Sequence, residues 1–496
     1  MCSGWFQRAR ATHAGRIIAS AALVAGCAQA IHNDPINQPL AANPVQVEAE
    51  LAPPTDYDDM VVALALSGGG MRAAAFSYGV LAGFDQTRVS SRTGSMSLLD
   101  RLDFLSGVSG GAVLAAYYGV RGHAALGDFK QRFLFVNAEE SLQTSLSLGN
   151  IARGLQGGVN DSTAFPVWLD AHLFNHATMK DILSRPRPRV WINASDIYNR
   201  TTFIFAPVTF GALCSNLANY PVSLAVAAST AVPVVFAPVV IQNFDGACPL
   251  ALPSWVQRVR SDPNAAPLIK AYADALERYR SGEIKYVKLL DGGLVDNYGL
   301  AGFTIARLAS NTPEAPLAPG EAVRLRRFLF LVVDSGRAPA GQWSQTVAGP
   351  SGLDLILATS DTATDSGAIG SYSAFDDTMN DWKRDLVAWR CGLSEADRRR
   401  YGAPPGWNCR DVQFFIGRIS FDVLGPQRAA ALSAVETRFT LPPDQVDMLI
   451  NAGRDALNAN PQFRAFLNSL PHTAPPLRAA PVATAPEGNA HEARAD

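Results

Sequence analysis

The chain has 496 residues, 48% of them apolar, enough to bury one large core or two modest ones. Its 42 Lys and Arg balance 44 Asp and Glu to a net charge of −2, which excludes nucleic acid as a partner attracted by bulk charge. No internal repeat is evident in the sequence.

Arg8, Arg10 and Arg16 precede the short apolar stretch IIASAALVAGC, which is too brief to span a bilayer and has the shape of a secretory signal. Residues 1–27 are therefore expected to be a signal peptide. Cys27 follows Val24-Ala25-Gly26 and resembles the end of a bacterial lipobox, which implies lipidation at Cys27. Ordinary cleavage within AGCAQA is the alternative. The expected location is the cell envelope, as an exported, outer-membrane-anchored lipoprotein that meets the membrane surface through its anchor. Residues 28–56 are rich in Pro, Asn and Ala without an amphipathic period and read as a flexible linker.

From residue 57 to 470 strand-like and helical runs alternate, which predicts an α/β fold with a mostly parallel central sheet. The first strand, Val61–Leu66, runs into Gly68, Gly69 and Gly70 and a helix opening near Met71. Three glycines at such a turn leave backbone N–H groups free to face an anion at the positive end of a helix dipole. Arg72 is either an anion anchor or a solvated arginine of the first helical turn. The next strand, Asp103–Leu105, leads to the G-x-S-x-G turn of Gly107 to Gly111, which lifts Ser109 out of the backbone as a nucleophile.

Strands are predicted at Val190–Ala194, Thr202–Ala206 and Val234–Ile241. The apolar run VSLAVAASTAVPVVFAPVVI is broken by Pro233 and Pro238, so a buried helix followed by a strand fits better than a membrane span. Residues 250–282 form a helical insertion able to cap a cleft, with Trp255, Val256, Leu268, Ile269 and Leu276 either packing inward or touching lipid. Strand Ile284–Leu290 then delivers Asp291, followed by Gly292 and Gly293, at a strand end with little bulk around it. A strand at Arg327–Val333 precedes helices in DDTMNDWKRDLVAW and PDQVDMLINAGRDALNAN that decorate or cover the sheet. Residues 471–496 read as a disordered tail.

The histidines narrow the chemistry. A Ser-Asp-His hydrolase in the α/β-hydrolase chain order needs a histidine well after the acid, and none lies between His176 and His472. His123, His172 and His176 are the candidates from the folded region, all before Asp291. A serine worked directly by an aspartate fits better. An ordinary aspartate titrates near 3.9, too low for such a base, so Asp291 must be buried among the apolar residues that flank it.

Four phrases in order, GGGMRA, GVSGG, ASTAVPVVFAP and DGGLVDN, resemble the motifs of the patatin-like phospholipases. The resemblance implies a three-layer sandwich with helical C-terminal additions, Ser109 as nucleophile, Asp291 as base and Gly68, Gly69 and Gly70 as oxyanion donors. It further implies hydrolysis of lipid acyl esters, phospholipase A or lysophospholipase in type, on a phospholipid or similar partner, with neither metal nor cofactor; the oligomeric state stays open. Ala73 stands where the family often has another glycine, and Gly299 where many members have proline. The rival reading is a non-catalytic envelope lipoprotein that binds lipid in the same cleft.

Six cysteines remain to be placed. With Cys2 in the leader and Cys27 as anchor, Cys214, Cys248, Cys391 and Cys409 permit three disulfide connectivities. Local pairing, Cys214 with Cys248 and Cys391 with Cys409, is the simplest; four buried thiols are the alternative.

Overall fold

The computed structural model describes residues 32–40, 59–91, 94–143, 150, 153–154, 157–245, 248–338 and 341–470. The leader with Cys27, most of the linker and the tail after residue 470 lie outside the described residues.

Among the described residues ten strands are present: β1 Met60–Leu66, β2 Arg88–Ser91, β3 Gly94–Ser97, β4 Phe104–Val108, β5 Arg189–Asp196, β6 Thr201–Ile204, β7 Val239–Gln242, β8 Tyr286–Asp291, β9 Arg327–Val333 and β10 Gln413–Ile419. The main helices are α1 Gly70–Gln86, α2 Gly110–Arg121, α3 Val222–Ser229, α4 Ser254–Ser261, α5 Pro267–Arg280, α6 Ala301–Ala309, α7 Gly352–Gly392, α8 Pro443–Ala459 and α9 Pro461–Ser469. Eight strands form one sheet in the order β10-β9-β1-β4-β5-β8-β7, with β6 paired to β5; β2 and β3 make a separate antiparallel pair. The pairs β10–β9, β9–β1, β1–β4 and β4–β5 are parallel.

Strand β1 shows why helices must cover both faces. Met60, Val62, Leu64 and Leu66 enter one core and Val61, Ala63 and Ala65 a second, so the strand is apolar throughout rather than alternating. The first core takes side chains from α1, α2 and α8, the second from α7, which gives three layers.

Helix α7 lies antiparallel to β9, with Phe375 against Phe330 and Trp382 against Phe328. Only its later part covers the sheet. Gly367 touches the carbonyl of Val295, and the stretch from there back to Gly352, roughly 22 Å at 1.5 Å per residue, leaves Leu355 and Ile356 exposed.

Three sequence expectations are corrected. The strand expected over Val234–Ile241 is confined to Val239–Gln242, because Val234 turns through φ 72°. Strand β10 was read as part of a helical region; its alternating partners Phe415 and Ile419 face the first core while Gly417 weakens the strand signal. The expected flexible linker is bonded to the domain at 32–40: Asn33 Nδ2 donates to the carbonyl of Pro238 at 2.9 Å, and Asn37 exchanges two bonds with the backbone of Gln242. The structure joins Cys214 to Cys248 and Cys391 to Cys409. In the insertion, Trp255, Val256, Ile269 and Leu276 are buried and Leu268 partly so, which is inward packing. No helix among the described residues is long and apolar enough to cross a membrane.

Candidate active site

Strand pairing along β5 brings the serine and the aspartate together. Asn193 pairs with Val108 on one side and Ile204 on the other, while Ala194 pairs with Asp291 opposite Phe203. Strands β4 and β8 therefore lie end to end along the same edge of β5, running toward each other. The chain leaves β4 at Ser109 and leaves β8 at Asp291, at the seam. Ser109 Oγ donates to Asp291 Oδ2 at 2.8 Å.

Ser109 is held at φ 50°, ψ −122°, a conformation costly for a residue with a side chain, as expected of a serine at a tight strand-to-helix turn. The turn closes because Gly110 lies against the glycine loop. A Cβ there would stand 1.9 Å from the carbonyl oxygen of Gly70. Gly107 and Gly111 pack backbone to backbone around the same elbow, Gly111 against Leu66 and Ser67.

Asp291 is 9% exposed and Ser109 5%. Burial pushes the Asp291 carboxyl up to about 6, against the opposing pull of the Gly293 N–H, bonded to Oδ1 at 2.8 Å, and of the Ser109 hydroxyl. The apolar setting anticipated for this base comes from the sheet around it.

The three loop glycines are not equivalent. Gly68 N–H donates to the carbonyl of Asn297 at 3.1 Å and is spent within the fold, which corrects its expected role as an oxyanion donor. Among the described residues, the N–H groups of Gly69, Gly70 and Gly110 meet no protein acceptor. Gly110 directly follows the nucleophile at the start of α2, the position whose amide serves an oxyanion in other hydrolases.

Arg72 is also corrected. Its Nε donates to the carbonyl of Ser335 at 2.9 Å, and its Nη1 to the carbonyl of Val435 at 2.8 Å and to Thr437 Oγ1 at 2.9 Å. The side chain is buried, and burial together with Arg337 lowers its pKa to about 10. It braces the first turn of α1 against two later segments rather than facing an anion.

Two residues without an assigned role in the sequence reading sit at the seam. Ser229, within ASTAVPVVFAP, accepts the Ser109 N–H on its Oγ at 2.9 Å and donates to the carbonyl of Asn193 at 2.6 Å. Its own carbonyl accepts from Gly292, and that of Ala231 from Asp291. Asn297 fills the space above Gly68: a Cβ on that glycine would stand 2.4 Å from Asn297 Oδ1 and 3.3 Å from Ser109 Cβ. Next to this segment opens a small cleft lined by Phe165, Pro166, Ala227, Ala231, Phe236 and Val239.

The histidines are engaged elsewhere. His123 bonds Asp100 at 2.8 Å, His172 bonds the carbonyl of Trp168 and stacks on its ring, and His176 meets Asp170. Among the described residues no group of three His, Cys, Asp or Glu side chains is placed to hold a metal ion.

An open α/β sheet with a serine raised at a strand-to-helix turn is a scaffold of acyl hydrolases. Residues 64–304 match the family model described as Patatin-like phospholipase, a segment that runs from β1 into α6 and contains all four motifs. These residues are therefore similar to a patatin-like phospholipase domain. A comparison with curated proteins returns no match. Thirteen chains of solved structures match, among them the crystal structure of VipD from Legionella pneumophila, with 12% identity over 83% of this chain and 67% of that chain and a TM-score of 0.26.

Proposed function

We propose that this protein hydrolyses acyl esters of lipids, as a phospholipase A or lysophospholipase, through a Ser109–Asp291 dyad and a covalent acyl-enzyme. The observation that carries the reading is the 2.8 Å bond from Ser109 Oγ to a buried carboxylate, with no imidazole beside either group among the described residues.

In the first half-reaction Asp291 takes the hydroxyl proton as Ser109 Oγ attacks the ester carbonyl carbon. The negative charge moves to the carbonyl oxygen, where the N–H groups of Gly69, Gly70 and Gly110 can receive it; one such donor is worth roughly 10²–10³ in rate. The C–O bond to the alcohol breaks, and protonated Asp291 returns its proton to the leaving oxygen. In the second half-reaction water gives a proton to Asp291, attacks the acyl carbon and releases the fatty acid, and Ser109 regains its hydrogen.

The test is a panel of acyl esters incubated with the purified protein, with products identified by mass. Release of fatty acid from a phospholipid or lysophospholipid, lost in Ser109→Ala and in Asp291→Asn, is expected. Retained turnover in either variant ends the dyad. No turnover of any ester, with lipid still bound, establishes the lipid-binding alternative. Export and anchoring through a lipid on Cys27 belong to the same proposal; mass analysis of the mature N-terminus from envelope fractions tests them.

A further inference from the structure

Strand β5 outruns β4 at the end where Ser109 is presented, and its hairpin to β6 stands past the seam. The tip comprises Ile197, Tyr198, Asn199 and Arg200. Strand β8 starts at the same height, because Ile197 N–H bonds the carbonyl of Lys288, and it runs from Tyr286 down to Asp291. Tip and base thus occupy the two ends of one short strand, roughly 17 Å apart at 3.4 Å per residue.

The tip is rigid and its apolar side chains point outward. The buried carboxylate of Asp196 accepts from the N–H groups of Tyr198 and Asn199, from Asn199 Nδ2 and from the Tyr279 hydroxyl. Tyr198 is nonetheless 59% exposed, Ile197 42% and Tyr286 40%. Around them stand Arg200, Lys285 and Lys288. The two lysine ammoniums lie 5.6 and 5.4 Å from the centre of the Tyr286 ring. Among the described residues no carboxylate pairs with these three cations; the neighbouring Glu283 is taken by Arg278 at 3.5 Å, and Asp245 lies beside Gly282. A protein of net charge −2 has here concentrated unpaired positive charge around exposed aromatic and aliphatic side chains.

We propose that this tip, Ile197, Tyr198, Arg200, Lys285, Tyr286 and Lys288, is a docking surface for an anionic phospholipid bilayer. Cations complement the negative headgroups, tyrosines suit the headgroup level, and the aliphatic side chain enters below it. The surface rests on the lipid-ester reading above and gives that site its partner: it seats the sheet end that carries Ser109 against the membrane from which the ester is drawn.

The experiment uses the full chain bearing Cys27→Ser, so that no acyl anchor contributes, and sediments it with phosphatidylcholine vesicles with or without phosphatidylglycerol. Partition to the anionic vesicles should exceed that to the neutral ones and weaken as salt rises. Arg200→Glu/Lys285→Glu/Lys288→Glu should lower it by about a hundredfold or more, since each cation contributes about fivefold. Ile197→Ser/Tyr198→Ser should lower it at every salt concentration. Hydrolysis of a short-chain soluble ester should be unchanged in both variants, which also reports that they are folded. Equal binding to both vesicle types, no binding by the parent chain, or unchanged binding by the charge variant overturns the proposal. If the parent hydrolyses no ester yet shows this charge-dependent binding, the surface stands and the catalytic reading falls.

Discussion

Ser229 Oγ accepts the backbone N–H of Ser109 at 2.9 Å and passes its own hydrogen to the carbonyl of Asn193 at 2.6 Å. The hydroxyl thus ties the nucleophile's backbone to β5, the strand on which Asp291 is also registered through Ala194. Because Gly292 and Asp291 bond the carbonyls of Ser229 and Ala231, one segment holds both halves of the dyad.

Ser229→Ala should leave two buried polar groups without partners at a stability cost of about 1–3 kcal/mol. It should lower kcat by about tenfold to a hundredfold while KM stays put, since a small misplacement of the attacking oxygen costs that much. Thr209→Val, which removes a buried hydroxyl bonded to Tyr272 at 2.8 Å away from the seam, is the control. Equal kcat in the two variants would reduce Ser229 to an ordinary packing residue.

The raised affinity of Asp291 for a proton fixes the pH dependence. With its carboxyl at about 6, kcat/KM for a soluble ester should climb tenfold per pH unit on the acid side, bend near 6 and stay flat above it. Stability carries the opposite sign. A carboxyl whose folded pKa is raised contributes stability below its unfolded value of 3.8, and loses that contribution as pH rises through about 6. Asp291→Asn, neutral at every pH, should therefore gain Tm relative to the parent more at pH 8 than at about pH 3, values on either side of that window. Thermal melts at both pH values check it; a difference that does not change with pH removes burial as the cause.

Strands β1 and β9 were legible because both their faces are buried. The continuous apolar run Val61–Leu66 ends in the glycine loop, and part of the site's chemistry sits on that turn. What sequence could not convey was the fate of individual donors. Gly68, Gly69 and Gly70 look alike as letters, yet the first is claimed by the carbonyl of Asn297, more than two hundred residues away. Gly110 looks like a spacer in GVSGG until the fold sets it against Gly70. Ser229 lay in a quoted motif, but its bond to Ser109 depends on β4 and β8 meeting along β5, a pairing of distant segments that no local pattern encodes.

The close approach of the two loops makes Gly110 intolerant of a side chain. Gly110→Ala would push a methyl into the Gly70 carbonyl, whose contact distance there is 1.9 Å, and backbone cannot swing aside as a side chain can. Overpacking of this kind costs about 1–3 kcal/mol or more and displaces the Gly70 amide along with its carbonyl. The expected outcome is a folded but less stable protein with kcat down by about a hundredfold or more, as for loss of an oxyanion donor. Circular dichroism melts and single-turnover acylation measure the two effects; acylation at the parent rate would exclude Gly70 and Gly110 from the oxyanion site.

The disulfide between Cys391 and Cys409 joins the end of α7 to the chain entering β10, across a sequence separation of 18. Both cysteines lie far from the seam in sequence and belong to the face opposite α1 and α2. Cys391→Ser/Cys409→Ser should cost about 3 kcal/mol, chiefly by freeing the unfolded chain, with esterase activity per folded molecule unchanged. Denaturant titration of parent and variant without reductant gives the difference; reductant, which also opens Cys214–Cys248 in both, should bring the two to a common, lower stability.

Arg72 as the brace seen in the structure and Arg72 as the anion anchor the sequence allowed predict different substrate dependence. Its guanidinium holds the carbonyls of Ser335 and Val435 and the Thr437 hydroxyl, so Arg72→Met strands three acceptors in a buried space and should cost about 3 kcal/mol or more. Gly69 sits against the same guanidinium, a Cβ there standing 3.1 Å from Nη2, so the loop amides should shift when the brace goes. A shifted loop slows every ester alike: kcat should fall by a similar factor on a phospholipid and on an uncharged short-chain ester, with KM little changed on either. An arginine that bound phosphate would instead raise KM on the phospholipid alone. Arg72→Lys sharpens the contrast, since an ammonium keeps the charge yet lacks the fork that spans three acceptors, and it should resemble Arg72→Met in kcat. Lysine rescue of phospholipid turnover would return Arg72 to the anion site.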